Sequence, residues 1–234
     1  MDEKLKRFIK AFGKLNVDRT HGRAPHKPIL LLAVLQAYRN GFIQNNRIYM
    51  TPELVALFKT KWSSLVTTNH ECRISYPFYY LKSDKFWKLV PKVGFEDVNQ
   101  MGSIMKTFTN LMKAIDYALI DEDLMILALD QKSNLMLQQF LLDEYFPETK
   151  VNYSDMLSND NSVFNRIEEK ILNEPPEEYK EEIKKIMAEK DEEEIFLRGS
   201  LFKREIPKIY HNTCCITGMQ IHTTVSTSMI DACH

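Results

Sequence analysis

The sequence predicts an α+β chain, mostly helical, with a winged-helix-like N-terminal domain that carries a β-hairpin and a helical spacer behind it. Three observations predict this. Helix, short strand, helix and then two β-rich runs succeed one another between residues 28 and 91, which is the order of a winged helix-turn-helix, although unrelated folds share that order. Residues 163–196 are dominated by Glu and Lys. Residues 1–97 hold 17 Lys+Arg against 8 Asp+Glu, a net +9, while the remainder is −10 and the whole chain only −1.

Each element follows from its residues. Leu5, Phe8, Ile9 and Phe12 recur at helical spacing, so residues 2–14 form a short amphipathic helix. "NVDRTHGRAPHK" (16–27) is a polar, basic loop. Pro28 suits the first turn of a helix, and "PILLLAVLQAYRN" (28–40) is apolar almost all round, hence buried on most sides until Gly41 ends it. "RIYM" reads as a short strand. Thr51 as N-cap, Pro52 at the first position and Glu53 in the first turn start a helix over 52–65. "SYPFYYL" and "KFWKLVP", separated by "KSD", read as the hairpin, with Phe78, Leu81, Phe86, Trp87 and Leu89 as core candidates. Strand alternation would put Tyr76, Phe78 and Tyr80 on one face and Pro77 and Tyr79 on the other. Residues 98–116 and 121–145 read as helical, with Leu119 and Ile120 in the connection between them, and complete a first domain over 1–150. "FPETKVNYSDMLSNDNS" (146–162) has linker composition, and an acidic helical linker is expected over 151–199, broken by Pro175 and Pro176. That stretch is either a solvated spacer or an acidic mimic of DNA able to dock on the basic domain.

The composition excludes several classes of function. Seven glycines and no GxGxxG or GxxxxGK[ST] leave no phosphate-cradling loop. No apolar run approaches the roughly 20 residues of a membrane helix, and "MDEKLKRFIK" is no signal peptide, so no membrane partner is expected and the expected location is the cytoplasm. Cys72, Cys214, Cys215 and Cys233 make neither a disulfide framework nor a CxxC knuckle. The basic front section points to a polyanionic partner, or else simply keeps the domain soluble.

At the C-terminal end, "FKREIPKIY", "CCITG" and "MIDACH" occur in that order within residues 201–234. This order resembles the start of an HNH nuclease domain of restriction enzymes, in which a helix leads to a Cys-x-Thr-Gly turn and a strand ends in the catalytic His. Cys215, Thr217, Gly218 and His234 take those positions. The resemblance implies a ββα-metal site with His234 as general base and a divalent metal, Mg or Mn, at the leaving oxygen. The Asn and second His of the family have no counterpart in 1–234. Residues 200–234 are therefore read as an incomplete ββα-metal start, truncated and inactive as given, with no metal expected on this chain. The plain alternative for His234 is an unengaged terminal residue. His211 and His222 read as surface residues.

In the front domain, "APHKPILLLAVL" followed by "YPFYYLKSDKFWKL" is similar to the sulfur-binding domain of type IV HNH restriction endonucleases, over roughly residues 1–150. That resemblance implies recognition of phosphorothioated double-stranded DNA, in which sulfur replaces one non-bridging phosphate oxygen. It assigns a sulfur-accepting cup to Tyr76 and Pro77 with His26 and Lys27, Lys27 departing from the Arg often found there. Tyr80 closes the cup or points away, and Arg23 and Arg73 are nearby candidates for phosphate contacts. The chemistry fits. Sulfur is larger, softer and a poorer acceptor than oxygen, so an apolar cup disfavours the oxygen it strips of water by roughly 1–3 kcal/mol, about 5- to 150-fold.

Plainer roles stand beside these. Tyr76 also fits an ordinary core tyrosine, and His26 a residue that caps the helix at Pro28. Two other functions fit the same residues. One is an HNH restriction protein that reads a modified base, such as methylcytosine, in a pocket for an extruded nucleotide. The other is a non-enzymatic winged-helix regulator. A homodimer is the expected assembly if both strands are cut.

Overall fold

The computed structural model describes residues 2–16, 24–100, 102–154, 176–189, 191–209 and 213. The chain divides into two compact units, Met1–Asp160 and Asn161–His234.

In the first unit, Asp2 caps α1 (Glu3–Phe12) through the Lys4 amide, and Leu5, Phe8 and Phe12 turn inward. The central helix is α2 (His26–Arg39), in which every residue from Lys27 to Tyr38 is buried, as its all-round apolar sequence requires. Gly41 follows in the left-handed region at φ 75°, where a Cβ would strain the backbone. After β1 (Arg47–Ile48), Thr51 caps α3 (Pro52–Leu65) by accepting from the Leu54 amide at 3.3 Å.

The expected hairpin is not formed. Ser75–Tyr80 is a helix, α4, continued by a 3-10 turn over Leu81–Ser83, and only Trp87–Pro91 is a strand, β2. The partner of β2 is β3 (Ile115–Ile120), in a stretch read as the end of one helix and a connection. All three strands form one antiparallel sheet in the order β1-β3-β2, with Lys88 and Arg47 both opposite Leu119. The physical reason is tertiary. As a helix, Ser75–Tyr80 buries Pro77, Phe78 and Tyr79 together, and Pro77 falls in its first turn, where no helical N–H is lost. The β-propensity of these aromatics is overridden by that burial. Phe78, Leu81, Phe86, Trp87 and Leu89 are all buried as expected, and the Trp87 indole N–H donates to the Phe78 carbonyl at 3.0 Å.

Residues 98–116 also depart from a continuous helix. They hold 3-10 turns at Glu96–Gln100 and Gly102–Lys106, then α5 (Phe108–Ala114) capped by Thr107, before the chain turns into β3. The stretch 121–145 is helical but in two pieces. Asp121 caps α6 (Glu122–Leu129) and Asp130 caps α7 (Gln131–Tyr145). Asn134, fully buried on α7, donates to the carbonyls of Leu35 and Ala128, which joins α2, α6 and α7.

The linker composition at 146–154 also misleads. Phe146 and Tyr153 are buried, α8 (Val151–Ser154) packs on α3, and the Tyr153 hydroxyl lies between Lys61 Nζ at 3.0 Å and Gln138 Oε1 at 2.6 Å. In the second unit, α9 (Pro176–Glu189) and α10 (Glu192–Ile209) are separate helices, and Leu197 and Leu201 on α10 are buried. Among the described residues no helix is long and apolar enough to cross a membrane.

Candidate nucleic-acid interface

His26 opens α2, and its half-buried imidazole is the centre of an aromatic cluster. Its ring lies 4.7 Å from Trp62, 5.7 Å from His70 and 5.8 Å from Tyr76, centroid to centroid. Three elements converge here: the start of α2, the last turn of α3 with the loop behind it, and the first turn of α4. Nε2 of His26 lies 2.9 Å from the Glu71 carbonyl. A carbonyl only accepts, so Nε2 carries the proton. Burial holds the His26 pKa below the ordinary histidine value, partly opposed by the Glu71 hydrogen bond and reinforced by His70. At neutral pH the imidazole is therefore uncharged.

Positive charge stands at the rim instead. The guanidinium of Arg73 is 5.8 Å from the Tyr76 ring centroid and the ammonium of Lys106 is 5.9 Å from it. Both side chains are exposed, and Arg73 also pairs with Glu71 at 2.8 Å. Lys106 is brought here by Ser75, whose hydroxyl donates to the Lys106 carbonyl at 2.6 Å. The result is an aromatic cluster with two cations within 6 Å of the Tyr76 ring, a combination suited to an anion with one apolar, polarisable side.

The residues singled out in the sequence fall into four groups. His26, Tyr76 and Arg73 are brought together. Pro77 is buried beside Tyr76, and Tyr80, half-buried, rests its ring 5.2 Å from that of Tyr79. Lys27 is placed apart from that cluster. It is 6% exposed, and its ammonium is held by Asp84 at 2.7 Å and Ser83 at 2.9 Å, so its charge is satisfied inside the protein. Arg23 and His234, with Cys215, Thr217 and Gly218, lie outside the described residues. Among the described residues no group of three or more His, Cys, Asp or Glu side chains is placed to hold a metal ion.

Trp62, His70 and Lys106 were not legible as site residues. Trp62 sits at helical spacing like any core aromatic, His70 in an unremarkable polar loop, and Lys106 lies 30 positions beyond Tyr76.

A family model for the ScoMcrA-like DNA sulfur-binding domain matches residues 5–158. The chain belongs to this family. The match covers every element of the aromatic cluster, and it makes DNA the partner of the first unit. No curated protein matches the chain significantly. The sulfur-binding domain thus ends within the first compact unit and includes α8, in which Tyr153 is buried.

Proposed function

We propose that the sulfur-binding domain recognises phosphorothioate in double-stranded DNA, with His26 and Tyr76 forming the surface against sulfur. The observation that carries this is the His26–Tyr76 ring pair with Arg73 and Lys106 each within 6 Å of the Tyr76 ring. The cations hold the phosphorothioate charge whether the ligand is modified or not. Nε2 of His26 is already occupied by the Glu71 carbonyl, so a phosphate oxygen against the ring faces of His26 and Tyr76 loses water there without gaining a bond from the imidazole. Sulfur, a weak acceptor, loses less. Pro77 lies beneath this surface in the proposed arrangement, not on its rim. A mobility-shift comparison on matched duplexes tests it: tighter binding of the modified duplex is expected, and equal affinity for both would sink the sulfur reading.

Support for a winged-helix docking mode comes from the element order α2-β1-α3-α4-β2-β3 and the β1-β3-β2 sheet. In this mode α4 approaches the duplex, and the β2–β3 connection, enlarged by α5, brings Lys106 alongside.

The same reading makes this domain the specificity module of a type IV HNH restriction endonuclease. Its support is the order "FKREIPKIY", "CCITG", "MIDACH" in the sequence, with His234 as base. That module is expected to need Mg2+ or Mn2+ and, for double-strand cleavage, two copies of the chain. Sequencing the locus past codon 234 tests it, a downstream Asn followed by a His being required.

A further inference from the structure

We propose that Lys27 and Asp84 are a positioning pair for the sulfur-recognising surface, setting α4 against α2 without touching DNA. The inference rests on the recognition role proposed above for His26 and Tyr76. Its basis is a clamp made by two consecutive residues. His26 holds the chain ahead of α4, through the Glu71 carbonyl at 2.9 Å. Lys27 holds the chain behind α4, through Ser83 Oγ at 2.9 Å and Asp84 Oδ2 at 2.7 Å. Ser83 Oγ in turn donates to the Tyr80 carbonyl at 3.0 Å, the last residue of α4. The six-residue helix that carries Tyr76 and Pro77 is therefore gripped at both ends from the first turn of α2.

Asp84 extends the grip. Its Oδ1 accepts the Asn16 amide at 3.4 Å, so one carboxylate ties the chain after α1, the start of α2 and the exit of α4. The pair is 7% and 9% exposed at its side chains. A lysine so placed neutralises a carboxylate of its own chain and has no charge left over for phosphate. A buried pair of this kind is an expensive way to gain stability, and geometric registry is its better-attested use.

The test separates positioning from contact. Affinities of wild type, Lys27→Met, Asp84→Leu and the double variant are measured on phosphorothioated and unmodified duplexes over a salt series. A lysine on phosphate contributes about 0.9 to the slope of log affinity against log salt. Positioning predicts that each single variant loses several-fold of the preference for the modified duplex, that the salt slope stays at the wild-type value, and that the double variant, with an apolar pair in the same space, recovers part of the preference. A slope lowered by about one in Lys27→Met, or a preference unchanged in both single variants, overturns the proposal. If a single variant does not fold, the double variant decides alone, since its slope equals wild type for positioning and falls for contact. If wild type itself shows no preference, it is the sulfur reading that fails. The salt slope of Lys27→Met, or of the double variant, then still decides whether Lys27 touches DNA.

Discussion

The Nε2–H of His26 donates to the Glu71 carbonyl across 2.9 Å, which ties the first turn of α2 to the chain just ahead of α4. The bond fixes the tautomer as well as the position, and it leaves a neutral ring 5.8 Å from Tyr76. Histidine is easily taken for a cation; here burial favours the neutral imidazole.

That burial has a pH signature. The unfolded chain protonates His26 near pH 6.5, the folded chain only at lower pH. Between those two values the unfolded state binds more protons, so stability rises with pH there. The benefit of a neutral His26 is complete above about pH 7, declines as pH falls through 6.5, and levels off below the folded pKa. His26→Gln keeps a donor for Glu71 and removes the titration. Melting temperatures from pH 5 to 8 should fall more steeply toward acid in wild type than in the variant, and parallel curves would count against the buried, neutral imidazole.

Tyr76→Ala removes the ring that faces both His26 and the two cations. The expected result is a loss of most of the preference for phosphorothioate, within the roughly 5- to 150-fold that a 1–3 kcal/mol penalty allows. Binding of the unmodified duplex should change less. Titration of both duplexes at one salt concentration reads the ratio directly.

Arg73→Ala and Lys106→Ala should act differently from Tyr76→Ala. Each removes charge at the rim, so each is expected to weaken binding of both duplexes alike and to lower the salt slope by about 0.9 for every phosphate left without its cation. Arg73 gives up part of its charge to Glu71 at 2.8 Å, so Lys106→Ala should have the larger effect. A fall in preference at constant slope would show that these side chains meet sulfur, not the charge.

Asn134→Ala tests the scaffold. The side chain is fully buried, donates to the Leu35 and Ala128 carbonyls and accepts from Gln138 at 2.6 Å. Its removal takes a partner from each of them, at a cost of about 1–3 kcal/mol for any group left stranded in the core. Urea denaturation should show a lower midpoint with little change in m.

Local chemistry determined much of this protein from the sequence alone. Thr51 with Pro52 starts α3, Gly41 at φ 75° follows α2, and the run Pro28–Tyr38 is buried on every side because it has no polar face to expose. These are contacts within a turn or two of chain, or a hydrophobicity that any fold must bury. That Tyr76 and His26 lie near one another was legible too, but only through resemblance to the sulfur-binding family. Tertiary structure decided the rest. "SYPFYY" has strand-forming residues and becomes a helix, because Pro77, Phe78 and Tyr79 reach the core together only in that form, while β2 finds its partner in β3 at Ile115–Ile120. Lys27 carries a charge in the sequence; that Asp84, 57 positions away, holds it at 2.7 Å is decided by the fold. Trp62 and His70 reach His26, and Lys106 reaches Tyr76, from separate elements. A side chain's charge and type are written in the sequence; whether that charge faces DNA or a carboxylate of its own chain depends on which distant segments pack against it.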